Sequence, residues 1–168
     1  MAGDTNLTEK DKEIINLATS LAAGCQPCLK YHLRKSKDVG LSEKEIYDII
    51  NQADMIYKRA KKLMKLRALD YVNANPVKKT GVHSGCQSRK EILVGLAVSY
   101  TVNSTDMTDQ YLACARKSKM SESEISGILD LSKFTWSKAR AHVDLLIEGT
   151  GVKSQEREKD EGKCGCGC

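Results

Sequence analysis

Leu41-Ser42-Glu43-Lys44-Glu45-Ile46 and Met120-Ser121-Glu122-Ser123-Glu124-Ile125 are two copies of one helix-opening signal. In each, a serine stands three residues ahead of a glutamate, so the hydroxyl accepts from a free helical N–H and the carboxylate reaches back to the serine's own N–H. After the first copy, Ile46, Ile49, Ile50, Ala53, Ile56, Leu63 and Leu69 lead toward Val72 at helical spacing. That run predicts one helix of about thirty residues. Upstream, Thr8 caps a helix predicted over Glu9 to Ala23, with Ile14, Leu17, Ala18, Leu21 and Ala22 on one face and Gly24 at its end. A second helix is expected to start at Pro27, whose missing N–H costs nothing in a first turn, and to stop near Gly40. Downstream, Lys90-Glu91-Ile92-Leu93 matches Lys12-Glu13-Ile14-Ile15. With two prolines, a single Phe and no alternating strand pattern, the chain reads as all-α, built from two tandem helical repeats. Residues 1–75 form the first repeat and 76–150 the second, joined through Asn73 to Ser88 with its Pro76, Gly81 and Gly85. Residues 151–168 are a charged, cysteine-rich tail expected to be disordered.

The 168 residues, 40% of them hydrophobic, are enough to enclose a core. No stretch approaches the roughly 18 apolar residues of a membrane span, and the start of the chain is polar, so a cytoplasmic protein without a membrane partner is expected. The net charge of +5 comes from 27 basic residues interleaved with 22 acids. Its densest basic run, Lys58 to Arg67, shares a helix with apolar positions and reads as a solvated face, not a nucleic-acid stripe. The seven cysteines are clustered, a pattern that points to redox or metal chemistry more than to a framework of structural disulfides.

The chemistry-bearing set is Glu13, then Cys25-Gln26-Pro27-Cys28, then His32. Two cysteines at a helix start can close a small disulfide, and free N–H groups there stabilise a thiolate. His32 lies one turn beyond Cys28 and is expected to take its proton directly or through a water. Glu13 reaches the same place if the first two helices pack antiparallel, and would orient His32. Counting from Glu91 as from Glu13, the second repeat carries Asn103 and Asp106 at the cysteine positions and Gln110 at the histidine position. One copy therefore keeps the helical frame without the thiols, which favours function over structure for Cys25 and Cys28.

In the cycle this implies, Cys28 attacks a peroxide oxygen or an oxidised sulfur, Cys25 supplies a proton and then closes the disulfide, and an outside dithiol resets the pair. The reversed assignment, with Cys25 attacking, stays open. So does a zinc site in which His83 and Cys86 join the C-x-x-C pair. His142 reads as a structural imidazole, Cys114 as a small core residue, and Phe134 and Trp136 as packing or subunit contacts. Cys164, Cys166 and Cys168 alternate with glycine and could wrap one soft metal ion or exchange thiols with the Cys25/Cys28 pair.

Glu13, Cys25-Gln26-Pro27-Cys28-Leu29-Lys30-Tyr31-His32 and Gly40-Leu41-Ser42-Glu43-Lys44-Glu45-Ile46 together resemble the AhpD-like branch of the carboxymuconolactone decarboxylase family. The resemblance implies an all-helical bundle that assembles as a homo-oligomer, a trimer or hexamer. It implies a dithiol alkylhydroperoxidase or a disulfide reductase serving a peroxiredoxin-like partner, with no required cofactor. It also implies Glu13 and His32 as proton shuttles, Cys28 as the attacking thiol and Cys25 as its resolving partner. Decarboxylation is not implied, because the decarboxylases lack the two cysteines. The branch often carries a histidine between the cysteines, where this chain has Gln26-Pro27, and the cysteine tail is foreign to its pattern.

Overall fold

The computed structural model describes residues 6–73, 86 and 88–149. They form α1 (Glu9–Ala22), α2 (Gln26–Asp38), α3 (Glu43–Asn73), α4 (Arg89–Thr101), α5 (Thr105–Lys117) and α6 (Glu122–Gly149), with no strand among the described residues. The protein is all-α. His83 and the tail with Cys164, Cys166 and Cys168 lie outside the described residues.

Local chemistry sets the helix starts. Thr8 and Asp11 exchange side-chain-to-backbone bonds of 3.1 Å each way at the head of α1. Ser42 and Glu45 do the same at 2.8 and 3.2 Å, and Ser121 and Glu124 repeat those distances. The second helix departs from expectation by one residue. It opens at Gln26, with Pro27 in its first turn, because Cys25 is itself the cap: its sulfur accepts the Cys28 N–H at 3.4 Å.

Bond for bond, the turns of α1–α3 recur in α4–α6. Cys25 N–H to Ser20 C=O becomes Ser104 N–H to Ser99 C=O, and Leu41 N–H to Ser36 C=O becomes Met120 N–H to Ala115 C=O. Gly24 and Asn103 share the left-handed region with φ of 68° and 53°, an uncommon conformation that Gly and Asn adopt most readily. This register pairs Cys25 with Ser104, Cys28 with Met107 and His32 with Tyr111, each one place beyond the pairing that counting from Glu91 gives. The slip lies in the Lys90–Leu93 match to Lys12–Ile15, which sets a register one residue short of the one the turns keep, Gly24 with Asn103.

The helices α1 and α4 lie side by side at the centre. Every residue from Ile14 to Ser20 and from Ile92 to Ser99 is buried, so α1 is enclosed on all sides where a single apolar face was expected. The cause is its neighbours: α2, α3, α4 and α6 all pack against it. Ile15, Leu17, Leu93 and Leu96 have no exposed surface, and burial of each such side chain contributes about 1.5–3 kcal/mol. Arg89 ties three helix starts together, reaching Asp11 at 3.1 Å and Glu124 at 2.8 Å. Lys58 pairs with Asp54 and Arg67 with Asp106, while Lys61, Lys62 and Lys65 are exposed, so the basic run is a solvated face. Among the described residues, no helix is long and apolar enough to cross a membrane.

Two cysteines depart from the sequence reading. Cys114 is not a free core thiol but is disulfide-bonded to Cys86, with the Cα atoms 5.8 Å apart. The bond fastens the residues entering α4 to α5. It is a structural bridge in a chain whose clustered cysteines pointed more to redox or metal chemistry, and it removes Cys86 as a thiolate ligand for the Cys25/Cys28 pair.

In the second half, the positions matching the site are filled by packing. Met107 is fully buried, Tyr111 is nearly so, and a methyl group added at Gly95 would fall inside the Tyr111 ring. Gly95→Ala is expected to cost about 1–3 kcal/mol despite the better helix propensity of alanine, since the ring has no free space to enter. Urea denaturation measures it. Burial, followed by the nearby Glu91 charge, pushes the Tyr111 phenol up to about 12. The unfolded chain gives up that proton near pH 10, so stability falls as the pH rises from there toward 12. Tyr111→Phe should flatten that part of the alkaline decline in the denaturation midpoint.

Candidate active site

Cys25 and Cys28 are brought together by the first turn of α2, one as cap and the other as third helical residue. Both are free and buried, and their sulfurs lie 2.9 Å apart. That is too long for a disulfide of about 2.05 Å and short enough for a hydrogen bond between the two sulfurs. Ala23 and Ala139 cover the pair.

A third group completes the cluster, and it comes from the other half of the chain. His142 Nδ1 lies 3.2 Å from the Cys25 sulfur and 3.4 Å from the Cys28 sulfur. This corrects two readings. His142 is not a merely structural imidazole, and direct contact with the sulfurs falls to it and not to His32.

His32 instead turns its Nδ1 to Glu13 Oε2 at 2.9 Å, with both side chains mostly buried. The carboxylate selects the tautomer that carries a proton on Nδ1. Glu13 accepts at its other oxygen from Asn16 Nδ2 at 3.5 Å, and Asn16 Oδ1 accepts from the Thr135 hydroxyl at 2.8 Å. A continuous polar chain thus runs from α2 through α1 to α6. Of the four residues expected at the site, the structure joins Glu13 to His32 and Cys25 to Cys28, as two separate pairs.

The sequence withheld His142, Asn16 and Thr135. A signal existed for one of them: Ser132, Thr135, Ala139 and His142 follow one face of α6 at helical spacing, and the first three are buried. Small residues on that face let α6 lie close to α1, and His142 is the next position along. Asn16 had none, because an asparagine amid an apolar helix reads as an interruption until its partners are known.

The two sulfurs differ in what surrounds them. Burial, then the Cys25 sulfur beside it, pushes the Cys28 thiol up to about 12, so Cys28 keeps its proton at neutral pH. The Cys25 sulfur takes the Cys28 N–H and sits at the head of the α2 dipole, where negative charge is favoured.

Residues 1–70 match the carboxymuconolactone decarboxylase family. The match spans α1, α2 and nearly all of α3, and so takes in Glu13, Asn16, Cys25, Cys28 and His32. His142 and Thr135 lie beyond the carboxymuconolactone decarboxylase match, in the half that supplies the covering helix. No curated protein and no solved structure matches the chain.

Two measurements check this geometry. Limiting iodoacetamide at pH 8, followed by peptide mapping, is expected to label Cys28 at least about tenfold more slowly than Cys25, because burial and the neighbouring sulfur keep the Cys28 proton in place. Thr135→Val, nearly isosteric, strands the buried Asn16 oxygen and should lower stability by about 1–3 kcal/mol in denaturant titration.

Proposed function

We propose that the protein is a dithiol oxidoreductase that reduces hydroperoxides or disulfides through Cys25 and Cys28. The observation that carries this reading is the pair of free, buried sulfurs 2.9 Å apart with one imidazole nitrogen in reach of both. Family membership alone would not distinguish such chemistry from decarboxylation. Two adjacent thiols and a proton acceptor do favour it, because a two-electron reduction that ends in a disulfide needs all three.

With a hydroperoxide ROOH, His142 takes the Cys25 proton and the Cys25 thiolate attacks the outer oxygen. The O–O bond breaks, and the alkoxide leaves as ROH with a proton returned by His142. Cys25 is then a sulfenic acid. The Cys28 sulfur attacks it, its proton leaves with the hydroxyl as water, and the disulfide forms. Two thiols and ROOH have become a disulfide, ROH and water. With a disulfide RSSR, the Cys25 thiolate displaces one RSH, protonated by His142, and the Cys28 sulfur then attacks the mixed disulfide at Cys25 and releases the second RSH with its own proton, leaving the Cys25–Cys28 disulfide. An external dithiol or a peroxiredoxin-like partner restores the thiols. Glu13 and His32 relay protons beside the pair, held in place by Asn16. This assignment reverses the roles that the family resemblance implies for the two cysteines.

The cycle as proposed requires no metal or organic cofactor. A homo-oligomer is proposed with it, through the outer side of α6. Phe134, Leu145 and Leu146 are more than half exposed there, an apolar surface suited to a second copy of the chain.

Cumene hydroperoxide added to reduced protein should remove two thiols per chain and yield a Cys25–Cys28 link by mass spectrometry. In Cys28→Ser, dimedone should trap a sulfenic acid on Cys25; in Cys25→Ser, Cys28 should remain a thiol. His142→Gln should slow the oxidation and move its pH profile to higher pH. Thiols untouched by both cumene hydroperoxide and a small disulfide would overturn the proposal.

A further inference from the structure

The sulfurs of Cys25 and Cys28 and a ring nitrogen of His142 all lie within 4.8 Å of one another. We infer that, in the reduced protein, these three residues form a binding site for a thiophilic divalent cation of the Zn²⁺ class. The inference uses the same dithiol as the oxidoreductase reading, but the two fail under different measurements.

Donor chemistry sets the class of ion. Two thiolates and an imidazole suit Zn²⁺ or Co²⁺ and exclude the oxygen-seeking Mg²⁺ and Ca²⁺. Geometry is close to what such an ion needs. Zn–S and Zn–N bonds of about 2.3 and 2.05 Å at tetrahedral angles put sulfur and nitrogen about 3.5–3.6 Å apart and the two sulfurs about 3.8 Å apart. The sulfur-to-nitrogen distances here are 3.2 and 3.4 Å. The sulfurs, at 2.9 Å, have to part by about 0.9 Å, which is the scale of a small χ1 adjustment.

The donors are also held from outside. The Cys28 N–H points at the Cys25 sulfur, a bond that supports a thiolate ligand. His142 is carried in by a helix whose Ala139 packs on both cysteines and whose Thr135 is bonded to Asn16. Three protein donors leave a fourth position open for water or a small thiol, the arrangement of an exchangeable and not a sealed site.

Binding breaks two S–H bonds, forms two S–metal bonds and one N–metal bond, and releases two protons, with no electron transferred. The bound centre is neutral: the ion's two positive charges meet two thiolates. Closing the Cys25–Cys28 disulfide sends two electrons to the oxidant and removes both sulfur donors, so it expels the ion. Metal occupancy and oxidation of the pair therefore exclude each other, and the ion guards the dithiol until an oxidant and a chelator or competing thiol act together.

The test uses the full-length chain with Cys164, Cys166 and Cys168 replaced by serine, reduced and titrated anaerobically with Co²⁺. One equivalent should give visible tetrahedral bands and a near-ultraviolet sulfur-to-cobalt band, with two protons released, and Zn²⁺ should displace it. Cys25→Ser or Cys28→Ser should abolish the sulfur-to-cobalt band. His142→Ala should weaken binding at least about tenfold, and His142→Cys should recover it, which separates a lost ligand from a lost fold. A pale octahedral spectrum, or equal affinity in His142→Ala, overturns the inference. Peroxide-driven thiol loss in chelator-treated protein is read in parallel. If the thiols oxidise while cobalt stays octahedral, the metal site falls and the oxidoreductase reading stands. If cobalt binds tetrahedrally while chelator-treated thiols resist every oxidant, the reverse holds.

Discussion

A single buried hydrogen bond, from the Thr135 hydroxyl to Asn16 Oδ1, sets how α6 lies on α1, and the site follows from it. Both residues are nearly inaccessible to water, so sliding α6 by one turn would strand an amide oxygen in an apolar interior, at a cost of about 1–3 kcal/mol. With the register fixed, Ala139 arrives one turn later over the two sulfurs and His142 meets them both. The amide's other end bonds to Glu13, which holds His32. One asparagine thereby positions the carboxylate–imidazole pair from within α1 and the second imidazole through α6.

The two halves show how far frame and chemistry are separable. Their turns make the same backbone bonds, yet the positions of Cys25, Cys28 and His32 are taken by Ser104, Met107 and Tyr111. Opposite Asn16 in this register stands Gly95, and the Tyr111 ring occupies the room that the missing side chain leaves. Aromatic packing replaces a polar network without moving the helices. Frame stability in this fold therefore does not depend on the thiols, which leaves Cys25 and Cys28 free to be chosen for reactivity.

Much of this was legible from residue order. Ser42 and Glu45, Ser121 and Glu124, and the cap at Thr8 announced the helices because a cap is a local bargain between neighbours in sequence. Glu13, Cys25, Cys28 and His32 were legible too, as groups on two consecutive helices joined by a tight turn. What escaped was long-range. His142 is more than a hundred residues from the sulfurs it touches, and the helical spacing that puts it on the face of Thr135 and Ala139 does not say what that face meets. Cys114 looked like a small core residue because its bond to Cys86 depends on how α5 meets the residues entering α4. The one-place slip between the halves came from counting on the Lys90–Leu93 match, whereas the match of Leu41–Ile46 with Met120–Ile125 carries the register that the turns keep.

Because the imidazole facing the sulfurs belongs to the last helix, the dithiol is assembled late in the life of each new chain. During synthesis α1 and α2 leave the ribosome early, carrying two thiols with neither their cover nor their proton acceptor. Only after α6 has emerged and docked does the centre close. An interrupted polypeptide that ends before residue 142 would thus carry the two cysteines without the imidazole that faces them.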